Sequence, residues 1–190
     1  AVERYGMVPD SGGPGRFRGA PAYVREYRAL GDDTMIVMRS DRRRWLPFGQ
    51  AGGLPGTPSF NIVDAGAGQR MVPVMPMAPV LLAAGQRFCH IGAGGGGWGD
   101  PLDRDPARCI EDLLEERFSP GYLHDVYGIV LTPSGALDAI ATDARRRAMR
   151  DARQPAREAQ PPYLRRFLSA LGVVSFKLEG ERELRLARER

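Results

Sequence analysis

The stretch Ala93-Gly94-Gly95-Gly96-Gly97-Trp98-Gly99-Asp100-Pro101 decides how the rest of this chain reads. Consecutive glycines strip every Cβ from a short segment, so its backbone can take φ > 0 and lie directly against another surface. Trp98 supplies a large apolar anchor, and Asp100-Pro101 stops any regular element from continuing. A strand-like run, Arg87–Ile91, leads in, and a capped helix follows. A glycine loop between strand and helix invites a phosphate-binding reading, because backbone N–H groups there can cradle an anion. No Gly-Lys-Ser/Thr follows the glycines, however, and their spacing fits neither the P-loop nor the dinucleotide fingerprint. Close packing against another backbone is the better reading.

Downstream of the glycines the pattern becomes helical. Asp105 reads as an N-cap with Pro106 at the first helical position, and Cys109, Ile110, Leu113, Leu114 and Phe118 mark one apolar face. Ser119-Pro120 opens a shorter helix that ends at Gly128. Ile129–Leu131 reads as a short strand and Pro133-Ser134-Gly135 as a turn. Asp138 caps a longer helix to about Arg153, apolar at Ile140, Ala144 and Ala148, with Arg145, Arg146, Arg147 and Arg150 on its outer face. Residues 154–162 read as a linker and 163–190 as a C-terminal extension, with an amphipathic turn around Leu164–Leu171 and a strand-like Val173–Leu178.

Upstream, residues 1–20 read as an irregular, glycine-punctuated lead-in. Tyr23–Leu30 and Thr34–Ser40, separated by Gly31-Asp32-Asp33, carry a hairpin signal, and Thr34–Met38, apolar on both faces, suggests an interior strand. Residues 51–68 read as loop, and Met71–Pro79 as an extended, proline-broken arm. The fold class expected is α+β: a mainly antiparallel β region to about residue 100, then small helices.

The totals fit one cored domain with an appendage: 190 residues, 43% hydrophobic and 26% charged, with Gly 24 and Pro 16 signalling many turns. A net charge of +4 makes no strong case for nucleic acid. Arg42-Arg43-Arg44 beside Trp45 reads as a solvated turn or a subunit rim where arginine pairs with carboxylates, because no further basic–aromatic periodicity supports a single-strand groove. Cys89 and Cys109 cannot form a disulfide framework, so a reducing cytoplasm is the expected setting. The longest apolar stretch, residues 71–84, is broken by prolines and too short to span a bilayer.

Candidate chemistry is sparse. Cys89 and His90 are strand neighbours whose side chains leave opposite faces, and no ligand spacing supports a metal site built from His90, His124 and Asp100. Ser11 lies in no Gly-x-Ser-x-Gly elbow, and an Asx-type turn explains Asp10-Ser11 more simply. Cys109, on the buried face of its helix, should be an inert core thiol.

Gly94–Pro101 followed by Leu102-Asp103-Arg104-Asp105-Pro106 resembles the GGGGYGDPLERDP signature of the hydantoinase B/oxoprolinase family. Asp10-Ser11-Gly12-Gly13-Pro14-Gly15-Arg16-Phe17-Arg18-Gly19 is similar to that family's DSGGAGRYRGG. Ser40–Arg44, continuing through Gly49 to Gly52–Gly56, and Val126–Leu131 are further blocks in the expected order. The family includes the B subunits of ATP-dependent N-methylhydantoinases, the C-terminal half of 5-oxoprolinase and the related acetone carboxylase subunit.

The resemblance carries several implications. The chain is expected to be the C-terminal portion of a longer B-type unit, either separately encoded or processed, with residues 1–153 forming the family-like domain of a multi-subunit assembly. Its implied function is to serve an ATP-dependent amidohydrolase that opens a cyclic amide. Membership of a related ketone carboxylase is one alternative, and a non-catalytic assembly module is another. The expected partners are a hydantoinase A-type subunit and the N-terminal part of the B-type unit, with neither nucleic acid nor membrane involved. ATP and a divalent metal are expected in those partner regions and no cofactor on this chain, so no catalytic, cofactor-binding or metal residue is carried over. The candidate interface or site-closing loops are Asp10, Ser11, Gly12, Gly13, Gly15, Arg16, Arg18 and Gly19; Arg42, Arg43 and Arg44; and Gly94, Gly95, Gly96, Gly97, Trp98, Gly99 and Asp100.

Overall fold

The computed structural model describes residues 1–63, 68 and 70–153. The linker and extension expected after Arg153 lie outside the described residues. The fold is α+β, as the sequence implies: antiparallel strands first, small helices after. Strands β1 (Val2–Met7), β2 (Tyr23–Arg28), β4 (Phe60–Val63), β5 (Arg70–Met71) and β7 (Arg87–Ile91) make a five-stranded antiparallel sheet in the order β1-β2-β7-β4-β5. Strands β3 (Thr34–Ile36) and β6 (Val80–Leu82) form a separate antiparallel ribbon.

Alternation along the strands fills two apolar layers. Val24, Phe60, Ile62, Met71 and Ile91 bury together with Val8 and Ala22 in one cluster. Val63 and Phe88 pack in a second cluster with Val72, Ala29 and the ribbon residues Val80 and Leu82. All of β4 is buried, flanked by β7 and β5.

Several expectations are corrected here. The lead-in is not irregular: β1 is a strand, exposed along most of its length and paired with β2. Its polar, half-solvated sequence hides the strand, since an edge needs little apolar alternation. The hairpin between Tyr23–Leu30 and Thr34–Ser40 does not form. Both hydrogen-bonding edges of β2 are taken, by β1 and by β7, so β3 pairs with β6 instead. Nor is β3 interior: Met35 is 59% and Val37 71% exposed. Strand β4 lies in the segment read as loop, and Ile129–Leu131 makes only a single bridge, Leu131 to Leu137.

Helix ends follow the local side-chain chemistry. A 3-10 turn, Pro101–Asp103, is capped by Asp100, whose carboxylate accepts from Leu102 N. Helix α1 (Pro106–Leu114) is capped by Asp105, α2 (Pro120–Tyr127) by Ser119, and α3 (Ala139–Asp151) by Asp138. Gly128 closes α2 in the left-handed conformation, φ 66°. On α1 the expected face holds for Cys109, Ile110, Leu113 and Phe118, which share one cluster; only Leu114, 78% exposed, leaves it, and Asp112 is buried beside them. Helix α3 does differ from expectation: its inward positions are Thr142 and Arg146, while Ile140 is 85% exposed and Ala144 and Ala148 face solvent. Buried hydrogen bonds set that phase: Val130 N donates to Thr142 Oγ1 at 3.0 Å, and Arg146 Nε to the Tyr127 carbonyl at 2.9 Å. The helical core is aromatic, with the Phe118 ring 5.0 Å from that of Tyr122 and 5.1 Å from that of Tyr127. Among the described residues no helix is long and apolar enough to cross a membrane.

Candidate interface loops

Gly94–Gly97 run as the middle layer between two other loops, 11–19 and 47–57. Toward the first, Gly13 N donates to the Gly95 carbonyl (2.7 Å) and Gly95 N to that of Ala20 (2.9 Å). Toward the second, Gly94 N donates to Thr57 O (3.1 Å), Gly97 N to Leu54 O (3.0 Å) and Gln50 N to Gly97 O (2.9 Å). The outer loops also bond each other, through Thr57 N to Ser11 O and Leu54 N to Pro14 O. The glycine requirement is one of distance: a Cβ on Gly94 would overlap the Ser11 carbonyl oxygen, and one on Gly96 that of Phe48. The amides of Gly94, Gly95, Gly97 and Gly99 all donate to backbone carbonyls. A phosphate cradle needs such N–H groups free, so the close-packing reading holds.

The DSGG loop fastens this layer to the helices. Asp10, at φ 60°, accepts from Ser119 N (2.8 Å) and Ser119 Oγ (2.6 Å), while Tyr122 Oη donates to Gly12 O. Asp10 therefore serves a distant helix start, a role its local sequence does not reveal. Ser11 is fully buried, donating to Val8 O and accepting from Ala22 N, which commits its hydroxyl to structure. Gly15 and Gly19 lie buried in the same layer.

Arg18 turns inward. Its Nε donates to Asp112 at 2.9 Å, and Arg104 reaches the other carboxylate oxygen at 2.7 Å. Arg104 also donates to the carbonyl of the exposed Arg16. This buried Arg–Asp–Arg cluster explains why Asp112, a residue with no signal in the sequence beyond an i+3 spacing from Cys109, takes the inward position on α1. The arginine triplet divides likewise. Arg42 and Arg44 are exposed, but Arg43 is only 6% exposed, with its Nε on Ser59 O (3.3 Å) and its guanidinium over the Phe60 ring. Arg43 is thus a core residue, not part of a solvated turn.

Trp98, the large apolar anchor of this stretch, is only half covered. Its backbone bridges Phe17 and Gln50, but the residue is 48% exposed. Phe17 (59%) lies 5.7 Å from it ring to ring, and Phe48 is 66% exposed. Trp98, Phe48, Pro47, Arg42 and Gln50 line a hollow of about 290 Å³ on the glycine layer. The face therefore presents aromatic surface that the described residues leave uncovered. Asp100 is held by Arg153 through both oxygens (2.5 and 2.9 Å), which keeps its carboxyl below the ordinary range.

His90, His124 and Asp100 have separate surroundings. His90 bonds Tyr23 and Asn61, His124 sits exposed against Asp125, and Asp100 is with Arg153. Among the described residues no group of three or more His, Cys, Asp or Glu is placed to hold a metal. Burial pushes the Cys109 thiol up to about 11, consistent with an inert core cysteine.

The hydantoinase B/oxoprolinase family profile matches residues 1–101. The chain is 31% identical to the beta subunit of the caprolactamase of Pseudomonas jessenii over 155 residues, covering 77% of this chain and 26% of that protein. It is 26% identical to the B-type subunit of a putative D-/L-hydantoinase of Pseudomonas sp. strain NS671, covering 77% of this chain and 25% of that one. It thus spans about a quarter of the length of these relatives. Among solved structures it is similar to the ATP-dependent caprolactamase of P. jessenii, with TM-score 0.65, 29% identity, and coverage of 76% of this chain and 26% of that one. The nucleotide-free acetone carboxylase shares the fold at TM-score 0.67 and 17% identity, over 82% of this chain and 26% of that one. Sequence profile, relatives and fold agree, and the chain belongs to the hydantoinase B/oxoprolinase family.

Proposed function

We propose that this chain works as the C-terminal part of a B-type unit in an ATP-dependent cyclic-amide hydrolase, as scaffold and as contact surface rather than as the catalytic centre. The observation that carries this is the aromatic face on the glycine layer, which the described residues leave uncovered. Trp98 and Phe17 are held there by reciprocal backbone bonds, Phe48 sits in the neighbouring 47–57 loop, and all three residues are about half exposed or more. Exposed aromatic patches set on rigid backbone mark interaction sites. The partner fitting this face is the remainder of the B-type unit or an A-type subunit, giving a hetero-oligomer in the cytoplasm.

ATP and a divalent cation are assigned in this reading to those partner regions. Four amides of the glycine run, those of Gly94, Gly95, Gly97 and Gly99, which would be natural phosphate ligands, are already bonded to carbonyls. Cyclic-amide opening is preferred to ketone carboxylation because the caprolactamase relative shares sequence as well as fold, whereas the carboxylase shares fold.

The test is co-purification of partner subunits with a Phe48→Ser/Trp98→Ser variant. Both side chains are exposed, so the chain keeps its melting temperature. Retention of the partner falls at least about tenfold, since two aromatic anchors contribute on the order of 1–2 kcal/mol each. Unchanged retention would refute the contact role of this face.

A further inference from the structure

A second site lies at the seam between the sheet and the ribbon. Tyr23, Arg25 and Tyr27 leave one face of β2, and the pairing sets Arg25 opposite His90 on β7 and His90 opposite Asn61 on β4. Three adjacent strands thus place Tyr23, His90 and Asn61 in a row. Asn61, fully buried, donates from its amide nitrogen to Ser40 Oγ (2.8 Å) and toward the Pro73 carbonyl (3.4 Å). A carbonyl only accepts, which fixes the amide orientation and turns Asn61 Oδ1 toward His90 Nδ1, 2.6 Å away. Nδ1 therefore carries the proton. Burial, and then the nearby Arg25 charge, lower the imidazole's basicity and keep it neutral. Nε2 is left as an acceptor, and the Tyr23 hydroxyl, 3.0 Å away, donates to it.

The Tyr23 ring is itself held. Gly92 lies beneath it, where a Cβ would come within 2.6 Å of the ring, and the Arg25 guanidinium sits 4.8 Å from its centroid. With its proton committed to His90, the Tyr23 oxygen offers lone pairs only, so it recognises a donor.

This row opens on a groove of about 670 Å³, within the range of small-molecule sites. Its walls include Ile36, Val37, Met38 and Phe88, and Arg25 and Arg39 give it positive charge. No acidic residue is among its described lining residues. Arg39 is exposed and has no ion-pair partner among the described residues, while Arg28, also on the rim, is paired with Glu3. A groove with positive charge, apolar walls and a fixed acceptor specifies its ligand.

We propose that the seam binds a small organic carboxylate that also carries an O–H or N–H donor. Arg39, helped by Arg25, takes the carboxylate; the Tyr23 oxygen takes the donor; the ribbon covers the short aliphatic skeleton. His90, Asn61 and Gly92 are positioning residues that hold Tyr23. None of this depends on the aromatic face or on the assembly it serves.

The test is calorimetric titration of the protein, purified with its accompanying subunits, with malate and with succinate, which differ by one hydroxyl. Malate binds about tenfold tighter than succinate, as expected for one hydrogen bond to a preset acceptor. Tyr23→Phe and Gly92→Ala each bring malate to the succinate level and leave succinate unchanged, a pattern that a merely structural defect would not produce. Arg39→Gln, at an exposed position, weakens both ligands about tenfold. Absence of binding of either acid, an unchanged affinity in Arg39→Gln, or equal losses for both acids in Tyr23→Phe would each overturn the proposal.

Discussion

Replacing Gly96 with alanine tests the glycine layer directly. The added Cβ would overlap the carbonyl oxygen of Phe48, a backbone atom that cannot swing aside as a side chain does. Moving it shifts the 47–57 loop, which is bonded through Gln50 N to Gly97 O and through Gly56 N to Pro47 O. Losing two such bonds costs about 1 kcal/mol each, and overpacking adds about 1–3 kcal/mol. Partial relaxation brings the net destabilisation to about 3 kcal/mol. For a chain of this size that lowers the melting temperature by about 6–12 °C. Gly6→Ala is the control, because nothing lies within 4 Å of a Cβ there, and it should stay within about 0.5 kcal/mol. Thermal unfolding followed by circular dichroism reads both variants. A Gly96→Ala protein melting within a degree of the parent would refute the claim that these glycines are required by backbone contact.

Other expectations follow from the buried charges and thiols. Asp112→Asn leaves Arg18 and Arg104 facing a neutral amide in a buried cluster. It should destabilise the chain by about 3 kcal/mol in urea titration, whereas an effect under about 1 kcal/mol would show that solvent compensates. Arg153 holds the Asp100 carboxyl below its ordinary value of 3.8, so the folded state binds that proton less readily than the unfolded state. The resulting stability is complete above about pH 4 and is lost as the pH falls further; Asp100→Asn should flatten that part of a pH–stability curve. With its thiol at about 11, Cys109 should react with an alkylating reagent at about pH 8 only as fast as the fold opens. Rapid labelling of the native chain, located by peptide mapping, would contradict that environment.

What was legible in the sequence was local. Asp105, Ser119 and Asp138 each cap a helix through a bond to an amide two or three residues on, so short-range chemistry sufficed to place α1, α2 and α3. The glycine run was legible as a packing element because serial loss of Cβ has few other uses. Choices made by distant partners were not legible. Nothing in Gly31-Asp32-Asp33 reveals that β1 and β7 already occupy both edges of β2. The inward phase of α3 is set by Arg146 reaching the Tyr127 carbonyl, a polar bond that apolar periodicity misreads. The exposure of Trp98 had no local signal either: a large ring can anchor a core or a contact surface, and its bridges to Phe17 and Gln50 come from distant loops. The Tyr23–His90–Asn61 row depends on the register of three strands far apart in sequence, although alternation of Tyr23, Arg25 and Tyr27 along one strand was a usable sign of a shared face.

The most direct test of the proposed role is purification of the tagged protein from its own host under native conditions, with mass spectrometry of what accompanies it and an ATP-hydrolysis assay with and without cyclic amides. The account predicts that A-type and B-type regions accompany it and that a cyclic amide stimulates ATP hydrolysis. A folded chain that emerges alone, or a complex whose ATP hydrolysis responds to ketone and bicarbonate but to no cyclic amide, would contradict it.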